Sequence, residues 1–292
     1  MKFPYATIFV GAGLLFSYFY LSGGLLYLPD SSLNNLAAGA GNSPLGLVTH
    51  LLSHVGIIHL AGNLLPLLAF GFLLELFTSS ADVLFVFFSS GVLASAFFSA
   101  LNPGIALVGA SSGVSGLIGA SVAIRPKLAL PLLLATPLFF NFAMLPLLST
   151  ASANQQATLF QQANELNHTF TELAHDQKSQ EAAQVKTRLS QAEERKRVVE
   201  EGVRREAKTR ADFFVHLLGV AFGVAYVFSF KKREFASGER EFFSAASKAK
   251  NFLRGLSGKA PEGEGRRASA TRSKRWPKKW RPNSPRLKRK KY

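Results

Sequence analysis

The 292-residue chain contains no cysteine. That excludes disulfides, a thiolate metal site and a cysteine nucleophile. Charge is missing from long stretches. Between residues 3 and 148 the charged side chains are Asp30, Glu75, Asp82, Arg125 and Lys127, and residues 211–230 hold only Asp212. Such stretches cannot make a water-facing surface, and apolar runs of about 20 residues are read as membrane-spanning helices. The first run follows Lys2 directly. It is longer than the apolar core of a signal peptide and lacks a small-residue cleavage site, so a retained first span is expected. Proline is missing from residues 150–210, which contain a single glycine, Gly202. Helix is therefore expected there.

Acid is scarce at the C-terminus. From Lys231 to Tyr292 there are 21 basic and 5 acidic residues, which is the whole net charge of +16. The remainder of the chain is electrically balanced. The basic character thus belongs to the tail. Its last part, Arg266–Tyr292, interleaves Trp276 and Trp280 with 13 basic residues. This composition suits a disordered segment that touches anionic lipid headgroups. Nucleic acid is not expected, since no nucleic-acid-binding fold motif accompanies the charge.

The hydrophobic pattern predicts six spans, over about 5–28, 47–74, 83–101, 105–124, 128–148 and 212–230. Residues 29–46 read as a Pro/Asn/Gly/Ser loop. The expected fold is an all-α polytopic bundle. Residues 1–149 hold helices 1–5, and 150–210 form a polar helical insertion. Residues 211–230 form helix 6, and 231–292 form a disordered basic tail. Six spans place both termini on one side. The positive-inside bias makes that side cytoplasmic, with the short Arg125–Lys127 loop on it and the insertion outside.

Polar side chains inside spans are costly and ask for a reason. Span 2 carries His50, His54, His59 and Asn63, with His59 and Asn63 one helical turn apart and His50 and His54 likewise. Histidines at this spacing could chelate zinc. No carboxylate shares that helix before Glu75, and His59 pairs with an amide, so neither metal nor cofactor is expected. Span 4 opens with VGASSGVSGLIGA, residues 108–120. Its small residues suit close helix packing, but its serines could also act as nucleophiles. Span 6 carries His216, a base for a serine at 111 or 115. His59 and Asn63 could donate hydrogen bonds to an oxyanion. Three spans thus each contribute one part of a hydrolase site.

This set resembles the rhomboid intramembrane serine proteases. His59-Leu-Ala-Gly-Asn63 matches the family's His-x-x-x-Asn, with His50 and His54 at the family's upstream spacing. Gly71 and Glu75 match its Gly-x-x-x-Glu. His216-Leu-Leu-Gly219-Val-Ala-Phe-Gly223 matches its His-x-x-Gly-x-x-x-Gly. The family's Gly-x-Ser-Gly occurs literally at Gly113–Gly116, which would make Ser115 the nucleophile. The longer pattern GASGxxxGxxGA overlays Gly109–Ala120 without a gap and favours Ser111. Three departures stand out. The Trp-Arg before span 2 is absent, Ser112 replaces a glycine, and the loop between spans 5 and 6 is about 60 residues long.

The resemblance implies a serine endopeptidase that cuts transmembrane segments of protein substrates. Ser111 and His216 would form the dyad. His59, Asn63 and the Ser111 N–H would hold the oxyanion. Asp212 lies near His216 in sequence and is read as the start of its helix. The alternative is an inactive rhomboid-like protein that binds or escorts membrane clients, although such proteins usually lose the serine or the histidine.

Overall fold

The computed structural model describes residues 3–39, 43–176, 178–208 and 213–256. Among these residues the chain is all-α. In order the helices are α1 (Tyr5–Ser22), α2 (Asp30–Leu36), α3 (Gly46–Thr49), α4 (Ile57–Phe77), α5 (Ser80–Leu101) and α6 (Ser111–Ile124). They are followed by α7 (Pro126–Phe139), α8 (Leu145–His175), α9 (Ser179–Lys208), α10 (Phe213–Phe230) and α11 (Lys232–Leu256). Five helical stretches are long and apolar enough to cross a membrane: α1, α4, α5, the continuous Pro126–His175 run and α10. With 14 residues, α6 spans only about 21 Å, short of a hydrocarbon core of about 30 Å. It is the central helix, packed against α4, α5 and α10.

α1 stops at Ser22 because Gly23 and Gly24 take positive φ values of 56° and 81°, a region closed to most L-residues. The chain then turns back across the head of α4. Ile57 N–H donates to Leu26 O at 3.0 Å and Leu28 N–H donates to Val55 O at 3.0 Å. These sideways bonds correct the expectation of one helix over 47–74. After α3 and a short 3₁₀ turn, His50–Leu52, the backbone is extended through Gly56, and α4 begins at Ile57. His50 and His54 are therefore not stacked one turn apart on a common helix.

Three further expectations are corrected. Residues 29–46 are not simply loop, since they include α2. Span 4 starts at Ser111 rather than 105, because Leu107 instead forms a two-bond bridge with Ala38, at 2.9 and 2.7 Å. The tail is not disordered from its beginning, since α11 is helical through Leu256. Residues 232–256 contain no proline and place Phe235, Phe242, Phe243, Phe252 and Leu256 among charged residues, a pattern that supports an amphipathic helix. The Arg266–Tyr292 part of the tail lies outside the described residues, as does Asp212.

No break separates residues 149 and 150. α7 passes through a π-helical turn, Phe140–Met144, directly into α8. α8 is about 46 Å long by its rise and pairs with α9 as a hairpin. The base of the hairpin is fastened to the turn after α1. Tyr27 Oη and Ser152 Oγ are 2.7 Å apart, and Leu26 N–H donates to Gln155 Oε1 at 2.9 Å. Leu25, Tyr27, Leu159, Val198 and Val199 form a small core between them.

Glu75 ties α1 to α4. Its carboxylate accepts from Ala6 N–H (2.9 Å), Thr7 N–H (3.0 Å), Thr7 Oγ1 (2.7 Å) and Ser80 Oγ (2.5 Å). The two amides belong to the first turn of α1, where N–H groups lack helical partners. Gly71 makes room, since a Cβ there would lie 2.8 Å from Thr7 Cγ2. Glu75→Ala would leave buried donors unmet, at about 1–3 kcal/mol each. A lower midpoint of thermal unfolding in detergent is expected, and Glu75→Gln should recover part of it. An unchanged midpoint would contradict this account.

Candidate active site

The approach to α6 is built by histidine and glycine. Gly109 has φ +108°, the left-handed side that favours glycine. Its N–H donates to His50 O at 2.8 Å. The next amide, Ala110 N–H, donates to His54 Nε2 at 3.3 Å. His50 Nδ1 donates to Gly46 O at 3.0 Å. The two upstream histidines thus hold the backbone that leads into Ser111. A Cβ on Gly109 would sit 2.8 Å from the His59 ring, so glycine lets this backbone lie against the imidazole. His54 and His59 pack edge to face with centroids 5.1 Å apart.

Ser111 is the first residue of α6 and is half-buried, whereas Ser112 and Ser115 are buried. The Ser112 hydroxyl turns to α5 and donates to Gly91 O at 3.5 Å. Ser115 lies under α10, where a Cβ on Gly219 would come 2.9 Å from the Ser115 Cβ. His216 is three residues before Gly219 on the same helix. The small faces of α6 and α10 are in backbone contact, since a Cβ on Gly223 would press into the Gly116 carbonyl. Glycine spacing in the sequence thus serves both packing and site geometry.

A cavity of about 510 Å³ is lined by His59, Asn63, Ser111, Ser115 and His216 together with Glu206. Its apolar walls include Ile58, Pro66, Val108, Ile118 and Phe140. All five side chains singled out in the sequence therefore face one space. Asn63 Nδ2 donates to His59 O at 2.9 Å, which fixes the amide one turn below the imidazole. Buried His59 Nδ1 has no hydrogen-bond partner among the described residues.

The family model described as the Rhomboid domain matches residues 42–161. Residues 42–161 thus carry a Rhomboid domain. The matched stretch contains His59, Asn63, Ser111 and Ser115, while His216 lies beyond it and is brought in by α10. No curated protein and no solved structure matches the chain.

Glu206 escaped the sequence reading. It sits in the charged run Glu200–Lys208, where nothing in composition sets one acid apart. In the fold its Oε1 accepts the His59 N–H at 2.9 Å. Burial pushes its carboxyl above the usual range, opposed by hydrogen bonds from the His59 N–H and Tyr27.

Proposed function

We propose that the chain is an active intramembrane serine endopeptidase with a Ser111–His216 dyad. Rhomboid-family proteins are in general intramembrane serine proteases. The observation that carries the reading is the single cavity shared by Ser111, His216, His59 and Asn63. It supplies nucleophile, base and oxyanion donors from α6, α10 and α4. Ser111 is preferred to Ser115 because it is the more exposed and opens its helix, where the positive end of the helix dipole favours an alkoxide.

In the mechanism, His216 takes the Ser111 proton as Oγ attacks a carbonyl of an unwound substrate helix. It returns that proton to the leaving amine. The oxyanion is held by the Ser111 N–H, His59 and the Asn63 amide. The unpartnered His59 Nδ1 supports this role, since a buried polar atom without a partner is costly until something bonds to it. Substrates are transmembrane proteins whose helices open readily. The chain crosses the membrane six times, α6 making the short crossing. It sits in the cell membrane with its termini cytoplasmic and the α8–α9 hairpin outside. The basic tail contacts anionic headgroups.

The test is fluorophosphonate labelling of the reconstituted full chain, run beside cleavage of a transmembrane reporter. Wild type is expected to label and cleave, and His216→Ala to lose both by at least about 10³-fold. Folded wild type that neither labels nor cleaves would support the client-binding alternative instead.

A further inference from the structure

The cavity contains one acid that the dyad mechanism does not use. Glu206 belongs to the last turns of α9, the returning arm of the hairpin. Several contacts hold that arm in place. Arg205 pairs with Asp30 of α2. Gly202 fits flush against Tyr27, since a Cβ there would lie 2.6 Å from Tyr27 Cδ1. Val198 and Val199 pack on Leu25 and Tyr27. A chain of polar contacts then crosses the whole base. Ser152 of α8 bonds Tyr27, Tyr27 bonds Glu206, and Glu206 accepts the His59 N–H. The carboxylate therefore rests on the first turn of α4, also against Gly56, where a Cβ would come 2.9 Å from its Oε1.

This places a carboxylate on the backbone of the residue whose side chain is the proposed oxyanion donor. Building on the Ser111–His216 reading, we propose that Glu206 sets the rate of this site. Its carboxylate, held on α4 by the docked hairpin, opposes the negative charge that grows on the oxyanion beside His59 and Asn63. Its neutral acid form does not. Like charges in a cavity walled largely by apolar side chains repel more strongly than in bulk water. The hydrogen bond from His59 N–H holds Glu206 on α4, the helix that carries both proposed oxyanion side chains.

The groups that face Glu206 are Tyr27 from the turn after α1, Tyr18 from α1, His59 from α4 and His216 across the cavity. Its own neighbour Arg205 is engaged with Asp30 and Glu201. Burial raises the proton affinity of Glu206 in the docked state. The inhibitory charge is therefore present above its raised pKa and is lost as pH falls through it. Activity at low pH also falls as His216 protonates, so the informative quantity is a ratio between two enzymes rather than either profile alone.

The experiment uses the full-length chain in phosphatidylcholine–phosphatidylglycerol vesicles. It measures kcat and KM for one transmembrane reporter between pH 5 and 9, for wild type, Glu206→Gln, Glu206→Asp and Ser111→Ala. Glutamine keeps an acceptor for the His59 N–H and removes the charge. The ratio of kcat for Glu206→Gln to wild type is expected to be smallest at the acid end. It should rise to about tenfold at the alkaline end, with KM little changed. Glu206→Asp keeps the charge and should follow the wild-type profile.

A ratio that stays at one across the pH range, or a Glu206→Gln enzyme slower than wild type, overturns the inference. The latter result would instead make Glu206 a support for the His216 imidazolium or a site for a basic substrate residue. With wild type and Ser111→Ala clearly different, those outcomes leave the dyad reading standing. If wild type, Glu206→Gln and Ser111→Ala are equally inert, the dyad reading falls, and the inference falls with it.

Discussion

Ser111→Ala is expected to lower kcat for a transmembrane reporter by at least about 10³-fold, because removing one member of a unit that acts together removes nearly all its effect. Ser115→Ala should stay within a few-fold of wild type. Ser111 stands at the mouth of α6, with its N–H among the unpaired amides of the first turn. Ser115 is one turn deeper and buried, with Gly219 against its Cβ. Alanine at 115 removes one oxygen from a tight interface, at about 1 kcal/mol or less. Single-turnover cleavage by the two variants, each shown folded by its thermal unfolding midpoint, decides the matter. Full loss with Ser115→Ala and activity in Ser111→Ala would move the nucleophile down one turn.

The second large effect is expected at Gly223. A valine there would drive its Cβ into the Gly116 carbonyl and to 3.0 Å from Ala120 N. Both obstacles are backbone, so no side-chain rotation relieves them. α10 must move off α6, and His216 moves with it. A displacement near 1 Å costs about 10²-fold in rate by misplacing the base. The lost contact between the two helices lowers stability as well. Gly223→Val should therefore lose at least about 10²-fold in kcat together with several degrees of unfolding midpoint. Gly13→Ala is the control, since a Cβ there has nothing within 4 Å. A Gly223→Val enzyme with normal kcat would mean that α6 and α10 are not in backbone contact.

The parts of the site were legible because intramembrane polar residues are conspicuous. His59, Asn63 and His216 each stand alone among apolar neighbours, where each asks for a partner. The glycines of 109–119 and 219–223 were legible by spacing as a packing surface. Helix limits were less so. Hydropathy does not see backbone hydrogen bonds, so it carried span 2 back to residue 47 and span 4 back to residue 105. The chain instead uses Leu26, Leu28, Leu107 and Ala38 to pair backbone sideways. His50 and His54, four residues apart in a span expected to be helical, were read as one turn apart, yet in the fold they hold Gly109 and Ala110.

By itself the sequence determined that the chain is an all-α membrane protein with a serine, a histidine and two donor side chains on separate apolar segments. It did so because charge, glycine and proline act locally, within a turn or a span. Tertiary structure alone decided that the five side chains line one cavity, that Ser111 is more open than Ser115, and that Glu206 joins them. Those facts depend on contacts between residues far apart in sequence, such as the 147 that separate His59 and Glu206. An acid in a charged helix looks like any other until the hairpin folds back and buries it.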